Sequence, residues 1–119
     1  MIKNFEEITA PLNEEELKLV EIIMDGLKKR GKEEALKGEE ICERINKNKE
    51  KLGLKKNLSD ARLRKITNHI RTQGLLPIIA TSKGYYCSYN VIEIRAQIDS
   101  LEDRAKAIQA SADGLRKFL

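Results

Sequence analysis

The stretch SDARLRKITNHIRTQG, from Ser59 to Gly74, contains the side chains of this sequence that are best suited to binding a polyanion. Four of its residues are Arg or Lys, one is His, and only Asp60 is acidic. Leu63, Ile66 and Ile70 are spaced so that they lie on one side of a helix. The residues that then face directly away from this apolar side are Ala61, Lys65, Asn68 and Thr72. The pattern therefore predicts an amphipathic helix with a basic outer surface.

The chemistry of these side chains suits DNA recognition, and a solvated helix face is the alternative. Lys and Arg pair with guanine edges and Asn with adenine edges, so Lys65, Asn68 and one of the arginines are candidates for reading bases. Hydroxyl and ammonium groups suit phosphates, which position a protein without specifying sequence. His69 lies at the rim of the helix face, where it is either a DNA contact or an ordinary surface residue. The predicted DNA-contacting residues are Lys55, Lys56, Ser59, Arg62, Arg64, Lys65, Asn68, His69, Arg71, Thr72 and Lys83.

The positive charge of the chain is concentrated in one segment. The whole sequence of 119 residues has a formal net charge of +4. Residues 55–84 contain seven basic residues and one acidic residue, so this segment alone has a net charge of +6. A concentrated basic patch is typical of a polyanion-binding surface, and chance clustering in a cationic protein is the alternative.

Three helices, a hairpin and a long helix are the elements predicted to position this surface. Asn13 and Glu16 have the spacing of a capping box at the start of the first helix. The second helix begins between Leu36 and Glu39, and Ser59 caps the third helix, which ends near Gly74. The inward-facing residues predicted for the first two helices are Leu17, Val20, Ile23, Met24 and Leu27, then Ile41, Cys42 and Ile45.

A short β-hairpin is predicted directly after the third helix. Pro77 cannot continue a helix, and the residues after it favour strand. Gly84 can adopt the left-handed conformation that a short hairpin loop needs, which places Lys83 at the hairpin tip. The fold class is therefore mainly α with a small β-hairpin.

This order of elements resembles the winged helix-turn-helix DNA-binding superfamily. The residues that carry the resemblance are GEEICERI (38–45), LSDARLRKITNHIRTQGLL (58–76) and PIIATSKGYYCSY (77–89). The chain looks like the small phage- or prophage-type members, which often append a C-terminal helix. It departs from a compact member in the long, lysine-rich connection at residues 46–57.

The resemblance implies that helix 59–73 enters the major groove of double-stranded DNA and that the 77–89 hairpin is the wing. A role in transcription regulation or in phage-type DNA transactions follows by analogy. The alternative is a protein–protein adaptor module that uses the winged-helix face and the C-terminal helix. Binding of RNA or single strands is less supported, because it favours exposed aromatic side chains.

The C-terminal helix carries an apolar stripe with heptad spacing. Its residues, predicted to form a dimer interface, are Val91, Ile94, Ile98, Leu101, Ala105, Ile108, Ala112 and Leu115. The second interpretation is a helix that folds back to complete a monomeric core. The predicted division is an N-terminal arm (1–12), a winged helix-turn-helix domain (13–90) and a heptad helix (91–119).

Other function classes have little support in the sequence. No apolar run approaches the roughly 20 residues of a membrane span, and the N-terminus lacks the pattern of a signal peptide, so we expect a cytoplasmic protein. Cys42 and Cys87 fit no disulfide framework. His69 is the single histidine, and neither a metal-ligand spacing nor a Gly-rich phosphate loop occurs. We therefore expect no enzyme activity, cofactor, metal or small-molecule ligand.

Overall fold

The computed structural model describes residues 11–119, so residues 1–10, most of the predicted N-terminal arm, lie outside the described residues. The described chain is mainly helical with a two-stranded antiparallel hairpin, as predicted. Its elements are α1 (Glu14–Leu27), a 3₁₀ turn (Lys32–Glu34), α2 (Gly38–Lys47), α3 (Asp60–Thr72), β1 (Ile78–Thr81), β2 (Gly84–Cys87) and α4 (Val91–Arg116). The chain divides into two compact units, the first ending at Ser88 and the second formed by Tyr89–Leu119.

Helix α1 begins with the predicted capping box. The Asn13 side chain accepts a hydrogen bond from the Glu16 backbone N–H (2.8 Å), and the Glu16 carboxylate accepts one from the Asn13 N–H (2.9 Å). The predicted inward face is wrong at Leu17, which is 51% exposed, whereas Leu19 is buried. The reason is that Glu16 itself points inward, toward cations of α3, and this rotates the buried face. That face consists of Glu16, Leu19, Val20, Ile23 and Leu27.

Helix α2 is joined to α3 by a connection that one α2 side chain holds in place. The helix buries the three residues predicted to face inward, Ile41, Cys42 and Ile45. The Asn46 amide donates a hydrogen bond to the Leu58 carbonyl (3.2 Å), and its oxygen accepts one from the Leu58 N–H (2.7 Å). Leu54, within the connection, is buried in the core. The lysine-rich segment therefore has a defined path that ends at Ser59.

Helix α3 supplies the most deeply buried residues of the first unit. The predicted core positions are confirmed, with 0% exposure at Leu63, Ile66 and Ile70. The Ser59 hydroxyl accepts a hydrogen bond from the Arg62 N–H (3.2 Å), which confirms the predicted N-cap. Gly74, just beyond the helix, has φ +63°, a conformation that ends helices and that glycine adopts without steric cost.

The hairpin is anchored to the segment that precedes α2. Strands β1 and β2 pair from Ile78 with Cys87 to Thr81 with Gly84. Leu36 and Tyr85 exchange two backbone hydrogen bonds, of 3.0 and 2.7 Å. Gly84 has φ +124°, and a Cβ atom there would lie 2.4 Å from the Leu36 carbonyl carbon. This position therefore requires glycine for both backbone conformation and space.

Helix α4 forms most of the second unit. It has 26 residues, and the Asn90 side chain caps it by accepting hydrogen bonds from the N–H groups of Ile92 and Glu93. None of its residues is buried. Of the apolar stripe predicted from the heptad spacing, Ile94 and Ala112 are half-buried and the other residues are exposed.

Candidate nucleic-acid interface

The outer surface of α3 is bordered by α1 on one side and by the hairpin on the other. The border with α1 is formed by Glu16, whose carboxylate binds Arg62 and Lys65. The border with the hairpin is formed by Arg71, whose Nε donates a hydrogen bond to the Ile78 carbonyl (3.0 Å). Both contacts hold basic side chains of α3 against neighbouring elements.

Glu16 is buried, with 2% of its side chain exposed, and it binds two of the predicted DNA-contacting cations. Its Oε2 lies 3.2 Å from Arg62 Nε, and its Oε1 lies 2.8 Å from Lys65 Nζ. The Lys65 side chain is only 13% exposed, so the expectation that it faces directly away from the core is wrong. The start of α1 packs beside α3 and covers that side of the helix.

The pKa of Glu16 is lowered from its ordinary value. Burial alone raises the pKa of this carboxyl, but hydrogen bonds from Lys65, from the Asn13 backbone and from Arg62 outweigh it. The carboxylate is therefore ionised at neutral pH. It offsets much of the positive charge of Arg62 and Lys65 in the folded protein.

Arg64 lies on the other side of the helix surface and is more accessible. Its Nε donates a hydrogen bond to Asp60 Oδ2 at 3.0 Å, and its side chain is 45% exposed. The hydrogen bond with Asp60 raises the pKa of Arg64. Because exposed ion pairs of this kind contribute little free energy, the guanidinium can exchange Asp60 for another anion at low cost.

Arg64, Asn68 and Thr72 form a polar row along α3. They are spaced four residues apart, so they lie one above the other on the helix surface. Asn68 is half-buried and Thr72 is exposed, and the Thr72 hydroxyl donates a hydrogen bond to the His69 carbonyl (3.1 Å). His69 is also half-buried. The row brings a guanidinium, an amide and a hydroxyl together on one side of α3.

Exposed lysines lie before α3 and at the hairpin tip. The Lys55 N–H donates a hydrogen bond to the Glu15 carboxylate (2.8 Å), which fixes the backbone there, and Lys55 and Lys56 are both exposed. Lys83 is exposed at the turn between β1 and β2. Arg64 and the neighbouring turn residue Ser82 line one cleft of about 330 Å³. The hairpin tip and the Arg64 side of α3 are therefore adjacent.

Two residues that shape this surface were missed by the sequence patterns. Thr67 is buried, with 2% exposure, and its hydroxyl donates a hydrogen bond to the Arg64 carbonyl (3.1 Å). Its spacing from Leu63 and Ile70 could have placed it inside. The ionic role of Glu16 has no comparable local signal, because its partners lie 46 and 49 residues away.

Features of other site classes are few in residues 11–119. No group of three or more His, Cys, Asp or Glu residues there could hold a metal ion, and no helix there is long and apolar enough to cross a membrane. Cys42 and Cys87 are buried and unbonded to each other, and burial raises the pKa of both thiols. A raised pKa disfavours the thiolate, the form that acts as a nucleophile.

Comparisons with known proteins gave no match to this chain. No family model, no curated protein and no solved structure corresponds to it.

Proposed function

We propose that this protein is a winged helix-turn-helix protein that binds double-stranded DNA. The observation that carries the proposal is the polar row of α3 with the hairpin tip beside it. In this interpretation α2 and α3 are the helix-turn-helix, and the β1–β2 hairpin is the wing. The pairing of Leu36 with Tyr85 supports it, because it holds the wing against the helical core.

The dimensions of α3 suit the major groove. The helix has 13 residues, which corresponds to a length of about 20 Å, and the groove of B-DNA is about 12 Å wide. Arg64 would pair with a guanine and Asn68 with an adenine. Lys55, Lys56 and Lys83, together with Ser59 and Thr72, would contact phosphates. Arg62, Lys65, His69 and Arg71 would act at the edges of the helix surface.

The biological role we propose is transcription regulation or a phage-type DNA transaction. Such a protein would work in the cytoplasm beside bacterial or phage DNA.

Salt-dependent binding to a duplex tests the DNA-binding proposal. A labelled 30-base-pair duplex of random sequence is titrated at several salt concentrations, and binding is followed by fluorescence anisotropy. We expect affinity to fall steeply with salt, because each phosphate contact releases counterions. The double variant Lys55→Ala/Lys56→Ala should reduce the magnitude of the salt slope by about 2.

A matched pair of lysines provides the control. Lys18, on α1, and Lys29, two residues after its end, are exposed, and replacing both by Ala removes the same charge from residues that are not proposed to contact DNA. Their loss should leave the salt slope almost unchanged. An equal decrease in both double variants, or no binding of the wild-type protein at low salt, would contradict the proposal.

The second candidate function, a protein–protein adaptor, is favoured by a different feature. A cleft of about 450 Å³ lies between α1 and α2. It is lined by apolar residues that include Ile22, Ile45 and Leu52, with Arg44 and Lys51 also in its lining. An amphipathic helix with acidic edges is the kind of partner that fits such a cleft. Ile22→Glu places a charge in the lining of this cleft. If the variant binds duplex DNA with the affinity of the wild-type protein, the cleft and the DNA-binding surface are separate sites.

A further inference from the structure

Helix α4 has an apolar stripe whose residues are exposed, except for the half-buried Ile94 and Ala112. No residue of the helix is buried, and Ile98, Leu101 and Ile108 are 41%, 38% and 40% exposed. The apolar positions alternate three and four residues apart, as in a coiled coil. A contiguous apolar surface of this kind on a water-soluble helix marks an interaction site.

We propose that α4 pairs with α4 of a second copy as an antiparallel two-stranded coiled coil. A second copy supplies a stripe of the same length and spacing, which knobs-into-holes packing requires along the entire helix. Each helix would bury six large side chains, Val91, Ile94, Ile98, Leu101, Ile108 and Leu115. At about 80 Å² for each side chain, the pair buries roughly 1,000 Å², which reaches the size of a small specific interface.

The positions of two alanines determine the orientation. In a parallel pair, Ala105 and Ala112 would each face the same residue of the other copy. The two Ala–Ala layers would then be narrower than the adjacent layers of Ile and Leu. The larger side chains would hold the helices apart and leave gaps at both alanine layers.

An antiparallel pair with its two-fold axis at Asp103 avoids these gaps. Ala105 then faces the partner subunit's Leu101, and Ala112 faces the partner subunit's Ile94. Each small residue is opposite a large one, so the distance between the helices can stay nearly constant along the pair.

The charged residues beside the stripe give the antiparallel orientation no support, so the orientation is inferred from the alanines. In a parallel pair, Gln97 would face the partner subunit's Glu102, and Arg104 would face the partner subunit's Gln109, so no ion pair forms. In the antiparallel pair the two Glu102 side chains approach each other on one side of the stripe, and the two Arg104 side chains approach each other on the other side. Lys106 lies four residues after Glu102 on each helix, at a spacing that offsets the repulsion between the Glu102 carboxylates.

Cysteine cross-linking of the full-length protein tests both the pairing and its orientation. Leu101→Cys and Ala105→Cys are prepared separately, then each is oxidised alone and after mixing with unfolding and refolding. We expect covalent dimers only in the mixture, because position 101 faces position 105 of the other copy. Wild-type protein is the control for the native thiols, both of which are buried.

Other outcomes would overturn the proposal. Covalent dimers of either variant alone would show a parallel pair, in which each position faces itself. Light scattering of the wild-type protein at about 100 µM uses a concentration well above a Kd of a few micromolar. A monomeric mass under these conditions would exclude self-association. Leu101→Asp/Ile108→Asp should convert the dimer to monomer, whereas Ser100→Asp/Ala107→Asp, outside the stripe, should not. These measurements contain no DNA, so their failure leaves the DNA-binding proposal standing.

Discussion

At the scale of single residues, Glu16 controls how much positive charge the outer surface of α3 presents. Its buried carboxylate lies within 3.2 Å of Arg62 and 2.8 Å of Lys65. Removing one charge from a buried ionic group leaves its partner charges unpaired. The resulting loss of folding free energy is larger than the contribution of an exposed ion pair. Glu16 therefore stabilises the packing of α1 on α3 while it reduces the positive potential of the surface.

The lowered pKa of Glu16 predicts a pH dependence of stability. The folded-state pKa lies below the unfolded value of about 4.3, so the ionised carboxylate stabilises the fold above that pH. This contribution is lost as the pH falls through the folded-state pKa. Glu16→Gln keeps the capping-box geometry but removes the charge that strengthens the hydrogen bonds from Arg62 and Lys65, so the variant should be less stable at pH 7, by about 2 kcal/mol.

Thermal unfolding between pH 7 and pH 3, followed by circular dichroism, measures this effect. The melting temperature of the wild-type protein should fall more across this range than that of Glu16→Gln. Glu21→Gln, an exposed position on the same helix, is the control and should follow the wild type. Parallel curves for wild type and Glu16→Gln would show that the carboxylate has no stabilising role.

At the scale of elements, the hairpin depends on the close approach of Gly84 to the strand-like segment at Leu36. Gly84→Ala introduces a Cβ atom 2.4 Å from backbone atoms at a positive φ. We expect a loss of about 3 kcal/mol. Gly53→Ala is the matched control, because Gly53 also has a positive φ (+68°) but open space around it; it should cost about 1 kcal/mol. Urea unfolding measures both, and equal losses would show that overlap with Leu36 contributes nothing.

The elements were largely predictable because their signals are local. The caps at Asn13 and Ser59, the stop at Gly74 and the hairpin turn before Gly84 each depend on neighbouring residues. The orientation of Lys65 and the exposure of Leu17 were not predictable, since both follow from how α1 packs on α3. A helical wheel of α3 predicts that every side chain outside the apolar stripe is exposed to solvent. It cannot show that Glu16 of α1 covers the side of the helix that carries Lys65.

At the scale of the whole molecule, the buried residues belong to a single stretch of the chain. Among residues 11–119, all of them lie between Glu16 and Ser88. A fragment of residues 1–88 should therefore keep the free energy of unfolding of the first unit within about 0.5 kcal/mol. Urea unfolding followed by near-UV circular dichroism of the tyrosines provides the comparison. A loss of more than about 2 kcal/mol would mean that α4 is part of the core.

The turn at Ser82 and Lys83 has a consequence for how this protein can diverge. Both residues are exposed, and the strand pairing ends at Thr81 and Gly84. Exposed turns of this kind tolerate insertions, and doubling the length of a loop costs only about 0.6 kcal/mol. Insertions at the tip can thus change its reach and charge while Gly84 and Leu36 keep the rest of the hairpin in place. Evolution or engineering can therefore vary what the tip contacts without redesigning the core.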